Sequence, residues 1–229
     1  MAVLILRLPR AFDSTMQTDS HRTEKLVKEY TARASAYDAR WSTYLGRSLL
    51  MSLDVISELP AKRVLDVGCG TGQLLEMLAK RPDHPDLFGI GRVPAMLDVA
   101  RRRIGHRATL LHGDAAKLPF DDAIFQLVAS TYALHCFPDA ESALGEIRRV
   151  MSPSGHLMIT DWCRDYFWMR VLNGILPFTR HAHVHTFNKT ELELRLNQAG
   201  FKTIGTTRRK IDWFWVRLQP VNATSRLSL

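Results

Sequence analysis

The sequence is poor in cysteine and contains no long apolar run. Its three cysteines, Cys69, Cys136 and Cys163, share no CxxC spacing, which excludes a disulfide scaffold and fits a reducing, cytoplasmic environment. No apolar run reaches the roughly 18 residues that a transmembrane helix needs. The opening MAVLILRLPR is too short for a signal peptide and has its arginines on the wrong side. We therefore expect residues 1–20 to form a disordered tail, with a weak organelle-targeting segment as the alternative.

Acidic residues are outnumbered by basic ones. The chain has 31 Lys and Arg against 23 Asp and Glu, a formal net charge of +8, which raises the hypothesis of a nucleic-acid partner. The basic residues are dispersed in short groups at 101–103, 148–149 and 208–210, without an interleaved basic and aromatic stretch. Nucleic acid is therefore a disfavoured partner, while an anionic substrate or an acidic surface stays open.

Short apolar runs alternate with helical segments from residue 63 onwards. Strands are predicted at 63–67, 87–90, ATLLHGD, FQLVAS and HLMITD, with helices over 72–80, from Pro94 and after Pro138. Thr71 is the expected N-cap of the first of these helices. Such alternation predicts a three-layer Rossmann-like α/β fold with a mostly parallel sheet, taken as seven-stranded. FKTIGTT and IDWFWVRL are joined by too few residues for parallel neighbours, so the sheet should close with an antiparallel C-terminal hairpin.

The predicted domain organisation has three parts. Residues 1–20 form the tail, and residues 21–60 form N-terminal helices, near 22–37 and 45–59, that cover the site. Residues 61–229 form the main domain, with a lid insertion at about 162–187. The length suits one domain with a full hydrophobic core.

The segment VLDVGCGTGQ, residues 64–73, joins the first predicted strand to its helix. Gly68, Gly70 and Gly72 are spaced two apart there. Without Cβ atoms, the backbone can adopt positive φ and approach a ligand closely. Alone this is a weak signal, because any strand-to-helix turn can use glycines.

The turn and two later segments resemble one family. DVGCGTG resembles the first motif of the class I S-adenosylmethionine-dependent methyltransferases, GDAAKLPF the segment after their third strand, and EIRRVMSPSGHLMITD their helix, turn and fifth strand. Ser154 stands where a second glycine is usual. The similarity runs from about residue 30 to 217 and is greatest to the small-molecule branch with the ubiquinone and menaquinone C-methyltransferases. It implies S-adenosylmethionine as the cofactor.

The resemblance also implies roles for individual residues. Asp66 would receive the methionine ammonium, Asp114 would accept from the adenine amine, and Ala115 would offer its N–H to the ring. Ser130 and Leu134 would border the methionine and the sulfonium. The full implied cofactor set is Tyr37, Asp66, Gly68, Cys69, Gly70, Gly72, Gln73, Gly91, Arg92, Met96, Asp114, Ala115, Ser130 and Leu134.

Two positions depart from the family pattern. Gly91 stands where an acidic residue would bridge both ribose hydroxyls, and Gln126 replaces a common Asp in the fourth strand. Arg92 cannot substitute as an acceptor, because a guanidinium has only donors. Losing charge-assisted bonds of about 1.5–3 kcal/mol predicts cofactor binding weakened by roughly ten- to a hundredfold. A scaffold that has lost catalysis is the alternative.

Candidates for substrate contact follow the fourth and fifth strands. His135 is a candidate general base, with a structural histidine as the alternative. Trp41, His135, Trp162 and Tyr166 are the candidate substrate-binding residues, and Tyr30 and Tyr37 lie in the expected N-terminal cover. The aromatic stretch at 161–178, which includes Phe167 and Trp168, could wall a substrate, form a lid core or touch a membrane surface.

Metal and thiol chemistry are secondary hypotheses. HAHVH places His181, His183 and His185 on one face if extended, but no carboxylate or cysteine is near, so no metal site is predicted. Cys136 and Cys163 both follow strand ends and suggest thiophilic substrates, with ordinary packing as the alternative.

The leading functional prediction is methyl transfer to a small, partly apolar or aromatic molecule. RNA methylation is the second hypothesis, although STYALHCFPD lacks the signatures of base methylation. A non-catalytic binding protein on the same scaffold is the third. Peripheral membrane contact stays open, and no oligomeric state is predicted.

Overall fold

The computed structural model describes residues 14–175, 185–203, 207–211 and 214–221. Seven strands form one sheet within these ranges: β1 Arg63–Val67, β2 Asp86–Gly91, β3 Thr109–His112, β4 Phe125–Thr131, β5 Met151–Trp162, β6 Thr207–Ile211 and β7 Phe214–Val221. Their order is β3-β2-β1-β4-β5-β7-β6. The first five strands are parallel, whereas β7 runs antiparallel to both β5 and β6. The predicted Rossmann-like architecture with a parallel sheet is confirmed.

In the part of the chain that the structure describes, seven helices accompany the strands. They are α1 Ser14–Arg33, α2 Tyr37–Ser57, α3 Gln73–Leu78, α4 Pro94–Ile104, α5 Ala140–Val150, α6 Phe167–Ile175 and α7 Lys189–Gln198. Pro94 opens α4 as predicted, because its fixed φ suits the first helical turn and its missing N–H has no helical partner there. Within the described ranges, no helix is both long enough and apolar enough to cross a membrane.

Alternate residues of the central strands face two separate cores. Val64 and Leu127 pack with apolar residues of α2, α3 and α4. Their neighbours Leu65 and Val128 pack on the opposite face with α5 and α7. Because side chains alternate along a strand, a strand that is buried on both faces reads as a continuous apolar run. The sheet is therefore covered by a helical layer on each side.

Four predicted boundaries were wrong. The break between the N-terminal helices lies at residues 34–36, where an Ala-Ser-Ala turn interrupts the helix, and α1 begins at Ser14, inside the segment predicted as a tail. The N-cap of α3 is Gly72, not Thr71, because the backbone there has φ of 77°. β5 begins at Met151, directly after α5, with a register shift opposite Phe125 in place of the predicted turn. Residues 1–13 lie outside the described residues.

Candidate functional site

A cleft lies at the carboxyl ends of β1, β2 and β4, where open α/β sheets bind ligands. It encloses about 1100 Å³, its open mouth included, and α1 and α2 form one wall. Ten of the predicted cofactor residues line it: Tyr37, Gly68, Cys69, Gly70, Gln73, Gly91, Arg92, Met96, Asp114 and Ala115. Asp66, Gly72, Ser130 and Leu134 lie outside its lining.

The glycine-rich turn requires glycine at Gly68 for two separate reasons. Its φ is 81°, in the left-handed region. A Cβ atom there would lie 2.3 Å from the Cβ of Ala133, which follows β4. The turn is anchored to β2, because the N–H of Gly68 donates to the carbonyl of Ile90 at 2.8 Å. The segments after β1 and β4 therefore come together at the floor of the cleft.

Gly72 serves packing rather than the cleft. A Cβ atom at Gly72 would lie 2.6 Å from Cδ1 of Ile104 and 3.0 Å from Cβ of Ala100. The start of α3 is thus pressed against α4. Leu134 is likewise a core residue, buried in the layer that contains α5.

Asp66 is a buried carboxylate at the end of β1. Its side chain is 1% exposed, and the described residues give neither oxygen a hydrogen-bond partner. Burial raises the pKa of Asp66 to about 7. The hydroxyl of Ser130, at the end of the adjacent β4, is also buried without a partner among these residues. Unsatisfied buried polar groups are rare in native proteins, and such a pair beneath a cleft is suited to a cationic ligand group.

Asp38, a residue that the sequence analysis missed, fastens α2 to the glycine-rich turn. Its Oδ1 accepts hydrogen bonds from Thr71 at 2.6 Å and from Gln73 at 2.7 Å. Its Oδ2 forms an ion pair with Arg103 of α4, which also donates to Glu76 at 3.0 Å. Such a tertiary contact leaves no local signal in the sequence.

Arg92 and Asp114 form an ion pair at the ends of β2 and β3. Arg92 also donates to the hydroxyl of Thr23 in α1 at 2.7 Å, and Asp114 accepts from the N–H of Ala116 at 3.0 Å. Burial lowers the pKa of the Arg92 guanidinium, whose side chain is 24% exposed. Gly91 lines the cleft beside this pair, and a Cβ atom there would lie 3.3 Å from Cδ2 of Leu97.

Gln126 lies away from the cleft. Its Oε1 accepts from the N–H of Arg63, the first residue of β1, at 2.9 Å. That contact joins the amino ends of β1 and β4, opposite the site. The departure at Gln126 therefore has no bearing on the cleft.

His135, the predicted catalytic base, is buried and does not line the cleft. Its ring Nδ1 lies 2.7 Å from Oδ1 of Asp161, and its backbone N–H donates to Oδ2 of the same carboxylate at 3.0 Å. The ring stacks on Trp162 at a centroid distance of 4.6 Å. Burial alone would lower the pKa of His135, but Asp161 outweighs it and raises the pKa well above its ordinary value.

The other predicted substrate residues also lie outside the lining. Trp41, a residue of α2, packs against the hydrophobic core, and the indole N–H of Trp162 donates to the Tyr44 hydroxyl at 3.1 Å. Tyr166 is half-buried at the start of the predicted lid. The aromatic residues that do line the cleft are Tyr30, Tyr37, Tyr132 and Phe137. Tyr132 has a φ of 52°, which a motif comparison could not have signalled.

The described residues bear on the metal and thiol hypotheses in part. His181 and His183 lie outside the described residues, and His185 contacts Glu191 at 2.9 Å, so a carboxylate is nearer than expected. Among the described residues, no three metal-ligating side chains form a cluster. Cys136 lines the cleft with its Sγ 3.6 Å from the Tyr30 hydroxyl, whereas Cys163 lies outside the lining and donates to Asp165 at 3.2 Å.

Comparisons with known sequences agree with this geometry. Residues 65–159 match a family described as "Methyltransferase domain". The chain is 37% identical over 114 residues to a demethylmenaquinone methyltransferase of Thermus thermophilus, covering 48% of this chain and 52% of the relative. It is 32% identical over 180 residues to a malonyl-[acyl-carrier protein] O-methyltransferase of Halorhodospira halophila, covering 76% and 60%. The chain thus spans only a little more than half the length of these curated relatives.

Solved structures share the fold. A putative methyltransferase from Bacillus halodurans is 27% identical with a TM-score of 0.63, covering 70% of this chain and 71% of that one. The putative methyltransferase in a complex with the Trm112 activator of Haloferax volcanii has a TM-score of 0.68 at 20% identity, covering 84% and 98%.

Proposed function

We propose that this chain, whose residues 65–159 match a methyltransferase domain, is of the class I, S-adenosylmethionine-dependent type and methylates a small, partly apolar or aromatic molecule. The observation that carries the proposal is the buried Asp66 carboxylate beneath the glycine-rich turn. A carboxylate whose charge is disfavoured by burial gains most from a cationic partner. The methionine ammonium of the cofactor is such a partner.

The residues present fit the cofactor at its two ends. Asp66 would hold the ammonium, directly or through water, and the backbone of Gly68 and Gly70 would lie against the methionine and ribose. Asp114 and Ala115 line the cleft at the end of β3, where they would meet the adenine. When bound, the cofactor supplies an activated methyl group on a sulfonium sulfur.

The chain's own contribution is to orient the reactants and to exclude water. Methyl transfer requires alignment of the acceptor, the methyl group and the leaving sulfur. Tyr30 and Tyr37 stand over the cleft from the N-terminal helices. The neighbouring Cys136 side chain together with burial raises the pKa of Tyr30, and burial raises the pKa of Tyr37. Both phenols therefore keep their protons near neutral pH and act as donors or walls, not as bases.

The acceptor class follows from the apolar part of the cleft. Leu26, Leu45, Leu49 and Phe137 line it, and the charged pair Arg92 and Asp114 neutralises itself. An apolar lining with few polar groups favours an apolar or aromatic acceptor. Demethylmenaquinone and malonyl-[acyl-carrier protein] appear in the names of the relatives, which supports a small-molecule acceptor group.

Two observations favour the non-catalytic alternative. Gly91 provides no ribose acceptor, and Arg92 competes with any ligand for Asp114. A protein that binds the cofactor weakly and transfers nothing would fit those features. RNA methylation gains no comparable support from the lining of the described cleft.

Calorimetry with two ligands tests the proposal. S-adenosylmethionine should bind, and Asp66→Asn should weaken it by about tenfold, the effect of losing one charge-assisted contact. Methylthioadenosine lacks the amino-acid group, so its affinity should not change. Asp54→Asn, exposed on α2, is the matched control. Absence of S-adenosylmethionine binding at about millimolar concentration would overturn the proposal, because such affinity corresponds to only about 4 kcal/mol.

A further inference from the structure

The end of β2 has a glycine where an acidic residue is usual, followed directly by an arginine. In nucleotide-binding sheets of this kind, an acid at this position hydrogen-bonds the ribose hydroxyls, and a nearby arginine instead accommodates a ribose phosphate. This chain has Gly91 at that position, and Gly91 and Arg92 both line the cleft. Resting on the function proposed above, we propose that this end of the cleft binds adenosine ligands that carry a phosphate on the ribose 2′ or 3′ oxygen.

The surroundings of Gly91 hold little that would repel a phosphate. A side-chain carboxylate at this position would lie within the cleft, and its absence removes one full negative charge. His112, at the end of the adjacent β3, has its Nε2 3.1 Å from the carbonyl oxygen of Arg92. Asp114 is the nearby carboxylate, and Arg92 already neutralises it.

Arg92 retains donors for a ligand. Its contacts with Thr23 and Asp114 use two of the five N–H groups of a guanidinium. Burial lowers the pKa of this guanidinium, so the charged form gains from a further anion. Phosphate oxygens match the planar fork of arginine and can accept two of its hydrogen bonds together.

Adenine binding would strengthen the attraction of the Arg92 guanidinium for a further anion. The adenine amine and the Arg92 guanidinium would donate to the same Asp114 carboxylate, whose Oδ1 also accepts from Ala116. When the adenine amine hydrogen-bonds to the Asp114 carboxylate, less of its negative charge is available to the Arg92 guanidinium. A ribose phosphate would supply the missing negative charge. Ribose-phosphorylated adenosine compounds would therefore compete with the cofactor for the cleft and inhibit the domain.

Calorimetry with adenosine and three of its monophosphates tests the inference without an activity assay. Adenosine 2′-monophosphate or 3′-monophosphate should bind at least about tenfold tighter than adenosine, which corresponds to one charge-assisted contact. Adenosine 5′-monophosphate places its phosphate on the methionine side and should show no such gain. Equal or weaker binding of both the 2′ and the 3′ compounds would overturn the inference.

Variants at residues 91 and 92 test the ribose-phosphate inference separately from the proposal that the cleft binds S-adenosylmethionine. Arg92→Gln should abolish the preference for the ribose phosphates while adenosine still binds, and Gly91→Asp should reverse it. Arg101→Gln, half exposed on α4 and paired with Asp98, is the control and should keep the preference. If S-adenosylmethionine and adenosine bind but the phosphates gain nothing, only this inference fails. If none of these ligands binds, both proposals fail.

Discussion

Thr71 donates a 2.6 Å hydrogen bond from its hydroxyl to Oδ1 of Asp38, which joins the glycine-rich turn to the helix that covers it. Gln73 donates to the same oxygen, and Arg103 pairs with the other. One carboxylate thus connects α2, the turn after β1 and α4. The position of the N-terminal wall of the cleft depends on this side chain.

Asp38→Ala should loosen that wall. Three donors lose their acceptor, and leaving partly buried donors unsatisfied costs about 1–3 kcal/mol of unfolding free energy. Cofactor affinity should fall as well, because Tyr37 precedes Asp38 and lines the cleft. Urea denaturation and calorimetry measure the two effects. Asp54→Ala on the exposed face of α2 is the control, and equal behaviour of the two variants would contradict the role of Asp38.

Replacement by alanine should have opposite effects on stability at Gly68 and at Gly46. Gly68→Ala forces a Cβ atom against Ala133 at a positive φ, so a loss of at least about 2 kcal/mol is expected from overpacking and strain. Gly46→Ala lies within α2 with no atom within 4 Å of the added Cβ, so it should stabilise by about 0.5–1 kcal/mol. Thermal unfolding compares the variants. If Gly68→Ala unfolds at the same temperature as the parent protein, the turn can shift to accept the added Cβ atom.

The sequence predicted the elements whose signals are local. The strand at Arg63–Val67, the turn at Gly68 and the helix that begins at Pro94 follow from apolar runs, glycine spacing and a proline. The resemblance carried by those motifs is confirmed by the family match over residues 65–159. Parallel strands with a glycine-rich turn bring residues from several elements to one edge, so most of the predicted cofactor residues line one cleft.

Long-range contacts could not be predicted in the same way. Asp38 meets Thr71 across 33 positions, and His135 turns toward Asp161 instead of the cleft. Trp41 and Trp162 pack on the core, because a large aromatic ring near a strand end is as well used in packing as in binding. Side-chain direction after a strand end depends on tertiary neighbours that no spacing records.

Cofactor affinity should rise with pH up to about 7. Burial raises the pKa of Asp66 to about 7, so the carboxyl holds its proton below that pH. The methionine ammonium requires the ionised form, and affinity should fall by up to about tenfold for each unit below pH 7. Calorimetry in buffers of different ionisation enthalpy should detect proton release on binding. Asp66→Asn should abolish both effects, and a flat profile in the parent protein would contradict them.

The same raised pKa affects stability in the opposite direction. Between about pH 4 and pH 7 the folded chain keeps the Asp66 proton that the unfolded chain loses, so this group's stabilising contribution is lost as pH rises. Asp66→Asn removes the ionisation. The variant should therefore be more stable than the parent above pH 7, and the difference should shrink toward about pH 4. Urea denaturation across that range measures it.

His135 and Asp161 should produce a separate loss of stability at higher pH. Burial lowers the pKa of His135, but Asp161 outweighs it, so the folded pKa lies well above the ordinary value of about 6.5. The folded chain then binds a proton that the unfolded chain releases, and this contribution is complete below about pH 6.5 and lost as pH rises through the folded pKa. His135→Gln should flatten this part of the urea profile while S-adenosylmethionine affinity stays unchanged, because the ring is held by Asp161 and stacks on Trp162. His106→Gln, an exposed histidine in the turn after α4, is the control and should keep the parent profile. A large loss of cofactor affinity in folded His135→Gln would instead return this residue to the site.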